Sequence, residues 1–342
     1  MGRSVSIVSV AERLGISASE VSRAFKAGYP MKPEKRELIK KTAAEMGYVR
    51  NEAASRLTMK PISIAFVMPD DFPEFDDEIM RGAKDAERTY FAYKLIVDYC
   101  SFDSCRDSDP VSAFDRLVSS YVEHSYDALI TGVCFDGIER VIKKYSDKIK
   151  IALVNFDLAD CGQLFAVIND TDSVARIAAQ LLSEHSEKGK CAIFAGVHGH
   201  YTHRNIVESF QKAALENGLD IACVYHCSTE DEMKIQLEEA FGKHTDITTV
   251  YATSALSVPI CEYLCRNRLD KRVRIVTSDV YERLNRYIQD GTVYATLYQN
   301  PAWQAYTALE NMYCHLARGS ELPRRFVARP EIVIAANLHL YK

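Results

Sequence analysis

Near the start of the chain, apolar residues recur every three to four positions, the spacing that predicts amphipathic helices. In the first helix the apolar face consists of Ile7, Val10, Ala11 and Leu14. Ser6 is placed to cap the start of this helix, and Gly15 to end it in a left-handed conformation. Ser17 then caps a second helix over 18–26. We therefore predict two short helices joined by a tight turn.

The second helix carries small side chains and one arginine on the side opposite its apolar positions. These residues are Ala18, Ser19, Ser22 and Arg23. Small hydroxyl groups beside an arginine can approach base edges and phosphates closely. The pattern predicts a helix-turn-helix whose second helix reads DNA. The alternative interpretation is an ordinary helical hairpin packed into a core.

A third helix and a short linking segment follow. Pro33 suits the first turn of the third helix. The buried face of that helix is expected to consist of Leu38, Ile39, Thr42, Ala43 and Met46. Asn51 can cap a further helix over 52–57, which is too short to be stable alone in water. We expect a DNA-binding head over 1–50, then a hinge helix and linker over 51–61 that order only when docked.

From Ile62 onward, nearly all-apolar strands alternate with helices, which indicates parallel sheets covered on both faces. The predicted strands are 62–68, 93–99, 127–132, 148–156, 191–196, 219–226, 247–253, 273–279, 292–298 and 326–335. The predicted helices are 77–91, 110–124, 136–145, 205–217, 231–241, 257–267, 281–290 and 302–317.

The predicted fold is a small all-α head followed by an α/β body of two parallel-sheet lobes over 62–342. The first lobe is expected at about 62–160 and 298–320, and the second at about 161–297 and 321–342. A ligand cleft is expected between the lobes, at the carboxyl ends of their strands.

Charge is distributed unevenly along the 342 residues. Residues 1–60 contain 12 Lys/Arg and 6 Asp/Glu, whereas the remaining residues contain 30 and 41. A basic head attracts phosphate, and an acidic body repels it. Neither a membrane-spanning apolar run nor a signal-peptide pattern is present, so we expect a cytoplasmic protein without membrane contact. The ten cysteines lack the paired C-x₂-C spacing of zinc ribbons and are expected to be buried and reduced.

The head resembles that of the lactose-repressor/galactose-repressor (LacI/GalR) family of bacterial transcription regulators. The resemblance rests on SIVSVAERLGISASEVSRAFK at 6–26 and GYVRNEAASRL at 47–57. It implies that the second helix enters the major groove of double-stranded operator DNA. The hinge helix would enter the minor groove, with Leu57 as a wedge between base pairs. The residues expected to contact DNA are Ser6, Ser17, Ala18, Ser19, Ser22, Arg23, Tyr48, Asn51, Ala54 and Leu57. Two departures are Arg50 in place of a proline and Lys32 in place of a serine cap.

The body resembles this family more loosely, and also periplasmic sugar-binding proteins of the same fold. The strongest match is IQDGTVYATLYQNPAWQAYTALE at 288–310. The resemblance implies that Asp279 and Gln299 bind hydroxyl groups of a sugar-like effector, and that the rings of Phe75 and Phe156 cover a sugar face. The local alternatives are a helix cap for Asp279, a turn for Gln299 and core packing for the two phenylalanines.

Several polar positions of the family are changed in this chain. They are Ile206 in place of an arginine, Ser209 in place of a glycine, and Ser254 with Ala255 in place of an asparagine–aspartate pair. The identity of the effector can therefore not be inferred from the resemblance to the family. Arg204, with the neighbouring histidines of HGHYTH at 198–203, is expected to supply an alternative set of contacts.

The histidine run also has other interpretations. His-x-His can chelate zinc, and histidines can transfer protons. However, the loop has no carboxylate, and the chain has no G-x-S-x-G nucleophile motif. We expect solvated or ligand-contacting histidines, with no metal, no cofactor and no enzymatic activity.

These observations predict a sequence-specific transcription regulator, a repressor controlled by a sugar or sugar derivative bound between the lobes. The regulator is expected to read a palindromic operator as a homodimer. No leucine heptad follows the last strand, so tetramers are not expected. The alternative is a constitutive or partner-controlled DNA-binding repressor with a degenerate effector site. The sequence indicates neither the effector's identity nor the sign of its effect.

Overall fold

The structure is a computed structural model, and it describes residues 5–25, 29–48, 60–70, 73–104, 108–185 and 189–341. The predicted hinge residues Asn51, Ala54 and Leu57 lie outside these ranges. Their DNA contacts therefore stay predictions.

Three helices form the first part of the described chain: α1 (Ile7–Leu14), α2 (Ala18–Ala24) and α3 (Pro33–Glu45). The Ser6 hydroxyl caps α1 by accepting a hydrogen bond from the Ser9 N–H at 3.2 Å. Gly15 ends α1 in the left-handed conformation, with a φ of 64°. The Ser17 hydroxyl caps α2 by accepting from the Glu20 N–H at 3.2 Å. The predicted caps and turn are confirmed, and α2 ends earlier than predicted, at Ala24.

The three helices share a small apolar core. Its buried residues are Val10, Ala11, Val21, Ala24, Ile39 and Ala43. The prediction for Leu38 was wrong, because this side chain is 56% exposed. Leu38 lies one position before Ile39, and one position turns the side chain about 100° around a helix. Ile39 therefore packs into the core, whereas Leu38 lies at the surface.

The first sheet of the body contains six parallel strands. They are β1 (Ile62–Pro69), β2 (Leu95–Phe102), β3 (Ala128–Thr131), β4 (Lys150–Val154), β5 (Phe165–Asn169) and β11 (Arg325–Ala328), in the order β11-β5-β4-β3-β1-β2. The helices on this sheet are α4 (Pro73–Tyr90), α5 (Pro110–Glu123), α6 (Ile138–Tyr145) and α12 (Pro301–Arg318), with a 3₁₀ turn at Phe91–Tyr93. Strands β3 and β4 are buried almost throughout, since helices cover both faces.

The second sheet repeats the strand order of the first. Its strands are β6 (Lys190–Ala195), β7 (Ile221–His226), β8 (Ile247–Ala252), β9 (Arg274–Ser278), β10 (Val293–Tyr298) and β12 (Glu331–Val333), in the order β12-β10-β9-β8-β6-β7. Strand β12 is antiparallel to β10. The helices of this lobe are α7 (Thr171–Ser183), α8 (Tyr201–Glu216), α9 (Glu230–Lys243), α10 (Ser257–Arg266) and α11 (Glu282–Gln289), with a 3₁₀ turn at Leu338–Tyr341. The body thus consists of two α/β lobes, as predicted.

The lobe boundaries differ from those predicted. Strands β5 and β11 pair in the first sheet, although the sequence analysis assigned 161–297 and 321–342 to the second lobe. The strand predicted over 326–335 is two strands, which belong to different sheets. Pro330 lies between them, and proline has no N–H to donate to a strand ladder. The chain therefore crosses between lobes after β5, β10 and β11.

Helix α12 returns the chain from the second lobe to the first, and it packs against α4 at Gly82. A Cβ atom at Gly82 would lie 1.9 Å from the carbonyl oxygen of Ala302. The absence of a side chain therefore permits the close contact of these two helices. Their packing holds the chain that follows β10 against the first lobe.

Within the described residues, none of the helices combines the length and apolar character needed to cross a membrane. The cysteines of the described ranges are free thiols, and burial raises the pKa of Cys134 and of Cys191 to about 12. Across the same ranges, no three His, Cys, Asp or Glu side chains are arranged to hold a metal ion.

Candidate functional site

A cleft lies between the two lobes, where the carboxyl ends of strands from both sheets face each other. It contains about 790 Å³ of empty space, part of it open to solvent. The first lobe contributes Pro69, Phe75, Asp76, Gly132, Cys134 and Asn155. The second lobe contributes Thr171, Val174, His200, Thr202, His203, Ile206, Thr253, Ser254, Ala255, Ser278 and Asp279, and Gln299 lies in the crossing after β10. This is the place where open α/β sheets bind ligands.

Asn155 and Asp279 occupy equivalent places in the two lobes. Asn155 directly follows β4, and Asp279 directly follows β9, each the third strand of its sheet from the β11 or β12 edge. Both have left-handed backbones, with φ of 70° and 63°. Asn and Asp tolerate this conformation better than other residues with side chains. The turn in the backbone directs both polar side chains into the cleft.

Hydrogen bonds connect these two residues across the lobe crossing. The Asp279 carboxylate accepts from the N–H and from Nε2 of Gln299, both at 2.9 Å. Oε1 of Gln299 accepts from Nδ2 of Asn169 at 2.6 Å, and the same Nδ2 donates to Oδ1 of Asn155 at 2.9 Å. Gln304 donates to Oδ1 of Asn169 at 2.8 Å. This network positions Asp279 and uses both ends of the Gln299 amide.

Asp279 is a buried acid without a cationic partner among the described residues. Desolvation raises its pKa to about 7, although the two hydrogen bonds from Gln299 act in the opposite direction. The charge of Glu78 adds to the upward shift of this pKa. Each carboxylate oxygen accepts one of the Gln299 bonds, so a lone pair on each remains for a ligand hydroxyl group.

The two predicted phenylalanines have different environments. Phe75 is half-buried and lines the cleft at the start of α4. Phe156 is 4% exposed and packs in the apolar core of the first lobe. The ligand-contact prediction for Phe156 was therefore wrong. The left-handed turn at Asn155 directs Asn155 into the cleft, and the next side chain packs beneath the sheet.

Arg204 does not line the cleft. Its guanidinium forms an ion pair with Asp136 of the first lobe, at 3.0 Å, and lies 4.9 Å from the ring centre of Tyr201. The expectation that Arg204 replaces the family's arginine inside the cleft was therefore wrong. Ile206, one half-turn further along α8, occupies the cleft wall instead.

His200 and His203 line the cleft, and both are held neutral. Desolvation lowers the pKa of His200 to about 4. Desolvation, together with His200 and His226, lowers the pKa of His203 to about 3. Their rings stack at 5.9 Å between centres. Gly196 leaves room for His203, since a Cβ there would lie 2.5 Å from the imidazole ring. His198 contacts His226 and lies outside the cleft.

Thr253 was missed by the sequence analysis. It directly follows β8, is 6% exposed and lines the cleft. Its hydroxyl has no hydrogen-bond partner among the described residues. A buried hydroxyl without a partner is costly, so a ligand that bonds to it gains affinity. The rule that ligands bind at carboxyl strand ends could have identified Thr253, because it applies to the residue after every central strand.

Polar contacts between described residues of the two lobes lie around the cleft. Besides Arg204 with Asp136, the Tyr201 hydroxyl donates to Glu139 at 3.2 Å, and the Thr202 hydroxyl donates to the Asn155 carbonyl at 3.2 Å. On another wall, Arg283 of α11 pairs with Glu74 of α4 at 3.1 Å. Polar contacts therefore connect the two lobes on more than one side of the cleft.

The predicted DNA-contacting residues of the head that the structure describes lie in three kinds of environment. Ser19, Ser22 and Arg23 are exposed along one side of α2. Ser6 and Ser17 are occupied in capping the helices. Ala18 and Tyr48 are half-buried and pack against the head's apolar core, and the Tyr48 ring lies 5.8 Å from that of Phe25.

Comparisons with known proteins agree with this architecture. The chain is 24% identical to catabolite control protein A of Priestia megaterium over 226 residues, which cover 65% of this chain and 64% of that protein. GanP, a glucose-galactose binding protein from Geobacillus stearothermophilus, superposes with a TM-score of 0.72 and 20% identity, over 82% of this chain and 99% of that chain.

Two further solved structures have the same fold. A protein assigned as a LacI transcriptional regulator from Bacteroides fragilis has a TM-score of 0.73 and 18% identity, over 83% of this chain and 100% of its own. A transporter solute-binding protein from Burkholderia graminis, in complex with D-arabinose, has a TM-score of 0.73 and 16% identity, over 82% and 98%. The family model described as periplasmic binding protein domain matches residues 64–321. Because this match spans well over half of the sequence, the chain belongs to the periplasmic binding protein domain family.

Proposed function

We propose that the chain is a DNA-binding transcription regulator, a repressor, controlled by a sugar or sugar derivative that binds in the cleft between the lobes. The observation that carries this proposal is a capped three-helix head ahead of a two-lobed body. A transport binding protein needs the body, but a head with an exposed polar helix is of use for recognising another macromolecule.

The head supports binding to double-stranded DNA. Ser19, Ser22 and Arg23 form an exposed strip on α2, and an arginine can donate two hydrogen bonds to guanine in the major groove. The excess of Lys/Arg over Asp/Glu in residues 1–60 favours contact with phosphates. A hinge over 51–61 and a homodimer that reads a palindromic operator are part of this proposal, as is a place in the cytoplasm, where the DNA is.

The body supports binding of a sugar-like ligand. Polar groups on Asp279, Thr253 and Asn155 converge on one cleft, and Phe75 and Ile206 add apolar surface. Such a mixture suits a ring with hydroxyl groups at its edge and a less polar face. GanP is a glucose-galactose binding protein, and the Burkholderia graminis protein is in complex with D-arabinose, so proteins with this fold bind sugars.

The alternative is a constitutive or partner-controlled repressor with a degenerate effector site. One observation favours it: Ile206 and Ala255 stand in the cleft wall where the resemblance led us to expect an arginine and an aspartate. In this case the head binds DNA, and sugars change neither the stability of the body nor its affinity for DNA.

Two measurements test the proposal. Selection of binding sites from random double-stranded DNA with the full chain should yield a palindromic sequence, and failure to enrich any sequence contradicts the DNA-binding part. Thermal-shift measurements with a panel of monosaccharides should identify a stabilising ligand that also changes operator affinity. An enriched operator with no response to any sugar would support the alternative.

A further inference from the structure

The guanidinium group of Arg23 lies over the aromatic ring of Tyr29. Its central carbon is 5.3 Å from the ring centre, within the range of a cation–π interaction. Arg23 is exposed in the last turn of α2, whereas Tyr29 is half-buried in the segment between α2 and α3. The contact therefore joins the exposed, polar side of the second helix to the segment that follows it.

The nearest acid on α2 has a different partner. Glu20 lies three positions before Arg23, a spacing at which helix side chains can pair. The Glu20 carboxylate instead accepts a hydrogen bond from Nζ of Lys35 on α3, at 2.5 Å. The Arg23 guanidinium is therefore oriented by an aromatic ring and not by this carboxylate.

The backbone of Tyr29 is held in place by two features of the chain. Nη2 of Arg36, on α3, donates to the Tyr29 carbonyl, and Nη1 donates to the carbonyl of Ala24 at 3.5 Å. Pro30 follows Tyr29, and a residue before proline is restricted to extended conformations. One side chain of α3 thus ties the end of α2 to the segment after it, so the ring of Tyr29 starts from a fixed backbone position.

The aromatic contact leaves the hydrogen-bond donors of Arg23 available. The N–H donors of a guanidinium group point outward in its plane, whereas an aromatic ring interacts with its face. Recognition of guanine in the major groove uses two of these donors at once, which requires a defined orientation of the group. An exposed arginine otherwise samples many rotamers. A ring that limits these rotamers before DNA binds lowers the entropy cost of the contact.

We infer that Tyr29 is a positioning residue for base recognition: its ring holds the Arg23 guanidinium in the orientation that reads a guanine. The inference rests on the proposed function and names a residue that determines its sequence specificity. Tyr29 is not among the residues that the sequence analysis assigns to DNA contact, and it lies in neither helix. Because Tyr29 acts through Arg23, it should affect discrimination between bases at one position of each half-site, and not the affinity for DNA in general.

Binding of the full chain to two matched operators tests the inference. One is the selected operator, and in the other the base pair read by Arg23 is replaced in one half-site; that pair is the one at which Arg23→Ala abolishes the preference. Tyr29→Leu removes the aromatic ring but keeps apolar bulk, so the affinity ratio of the two operators should fall about two- to fivefold, the range of an exposed cation–π contact. Tyr29→Phe keeps the ring and should retain the ratio. A leucine variant with the wild-type ratio overturns the inference.

A double-mutant cycle distinguishes positioning from a direct contact of Tyr29 with DNA. In the Arg23→Ala background there is no guanidinium to orient, so Tyr29→Leu should cause no further loss of discrimination or of operator affinity. A further loss as large as that in the wild-type background contradicts the inference, because Tyr29 would then contact DNA itself. An equal fall of the ratio in Tyr29→Phe also contradicts it, since the hydroxyl group would be responsible. So does an equal loss of affinity for random DNA.

The DNA-free protein provides a second test, by nuclear magnetic resonance. An aromatic ring shifts the signal of a proton above it upfield. In the full chain with isotope-labelled arginine, the Nε–H signal of Arg23 should therefore move downfield in Tyr29→Leu and stay in place in Tyr29→Phe. Arg23→Lys identifies the signal by its absence. An unmoved signal in the leucine variant overturns the inference but leaves the proposed function intact. If the signal moves but the full chain selects no DNA sequence, the aromatic contact exists, and the proposed function fails together with the inference.

Discussion

At the scale of single residues, Asp279 combines two opposing influences. Burial raises its pKa to about 7, whereas hydrogen bonds from Gln299 favour the charged form. Burial prevails because the bonds come from neutral amide groups, and such bonds offset only part of the desolvation cost of a carboxylate. The pKa of this carboxyl group therefore lies near neutrality, at the point where the two lobes meet.

The raised pKa of Asp279 predicts a pH effect on stability. In the unfolded chain this group ionises near pH 4, but in the folded chain it stays protonated up to about 7. The folded state thus binds more protons in this window, and Asp279 lowers stability as pH rises from about 4 to 7, by up to about 1.4 kcal/mol per pH unit. Asp279→Asn should remove this contribution, so the melting temperature should rise more steeply with pH than in the wild type.

For Asp279→Asn, the informative quantity is the slope of the melting temperature against pH, and not the melting temperature at any one pH. An asparagine amide nitrogen would face Nε2 of Gln299, where the carboxylate now accepts a bond. This conflict between two donors lowers stability at every pH. Parallel pH profiles of the variant and the wild type would contradict the assignment of a raised pKa to Asp279.

The cleft histidines predict the opposite pH dependence. The lowered pKa of His200, about 4, means that the unfolded chain gains a proton near pH 6.5 while the folded chain does not. The stability that depends on neutral His200 is present above 6.5 and is lost as pH falls toward 4. His200→Gln should flatten the acid side of the stability profile, measured by denaturant unfolding. His124→Gln, at an exposed histidine of the first lobe, is the matched control for the loss of an imidazole outside the cleft.

At the scale of elements, the sequence predicts best where local rules act alone. Ser6, Gly15 and Ser17 form the first helical pair through caps and one left-handed turn, and all three contacts are local in sequence. Strand β5 and helix α7 were not predicted, although FAVIN is apolar, because the short strand follows an irregular loop. The division of the predicted strand 326–335 at Pro330 depends on which sheet each of its two halves joins, and this is not determined by the local sequence.

The same distinction applies to the cleft residues. Asp279, Gln299 and Phe75 line the cleft, since each follows or begins an element at the carboxyl edge of a sheet. Phe156 was expected there from the family resemblance, and Arg204 because it is the arginine nearest to the position that Ile206 occupies. Arg204 finds Asp136 on the other lobe, a partner 68 residues away that no local pattern indicates. The pairing of Arg204 with Asp136 could be identified only after the two lobes were placed together.

The exposed side of α2 gives a prediction for DNA binding. Arg23→Ala should weaken binding to the selected operator by about 1–3 kcal/mol and binding to random DNA much less, because a base contact is lost. Lys41→Ala is the matched control: it removes one positive charge from an exposed position on α3. Fluorescence anisotropy with both DNAs measures the effects. Equal losses of binding free energy on the two DNAs would mean that Arg23 contacts a phosphate and not a base.

At the scale of the whole molecule, the contacts around the cleft set the balance between open and closed lobes. Arg283 is informative because it has one partner on each side: Glu230 in its own lobe, at 2.7 Å, and Glu74 in the other lobe, at 3.1 Å. Opening of the cleft breaks the bond to Glu74 and leaves the bond to Glu230 in place. The arginine therefore retains a counter-charge in both states, so opening costs less than the loss of an isolated ion pair.

This arrangement predicts different effects for two chemically identical substitutions. Glu74→Gln weakens the contact between the lobes, and we expect the affinity for a sugar ligand to fall by up to about fivefold, the upper end for a partly exposed ion pair. Glu230→Gln removes the competing partner within the second lobe, so the affinity should stay the same or rise. X-ray scattering of the ligand-free variants should give a larger radius of gyration for Glu74→Gln alone. A ligand closes the cleft only to the extent that it binds the closed state more tightly than the open state. Equal affinities and equal radii of gyration in the two variants would therefore mean that Arg283 does not control closure.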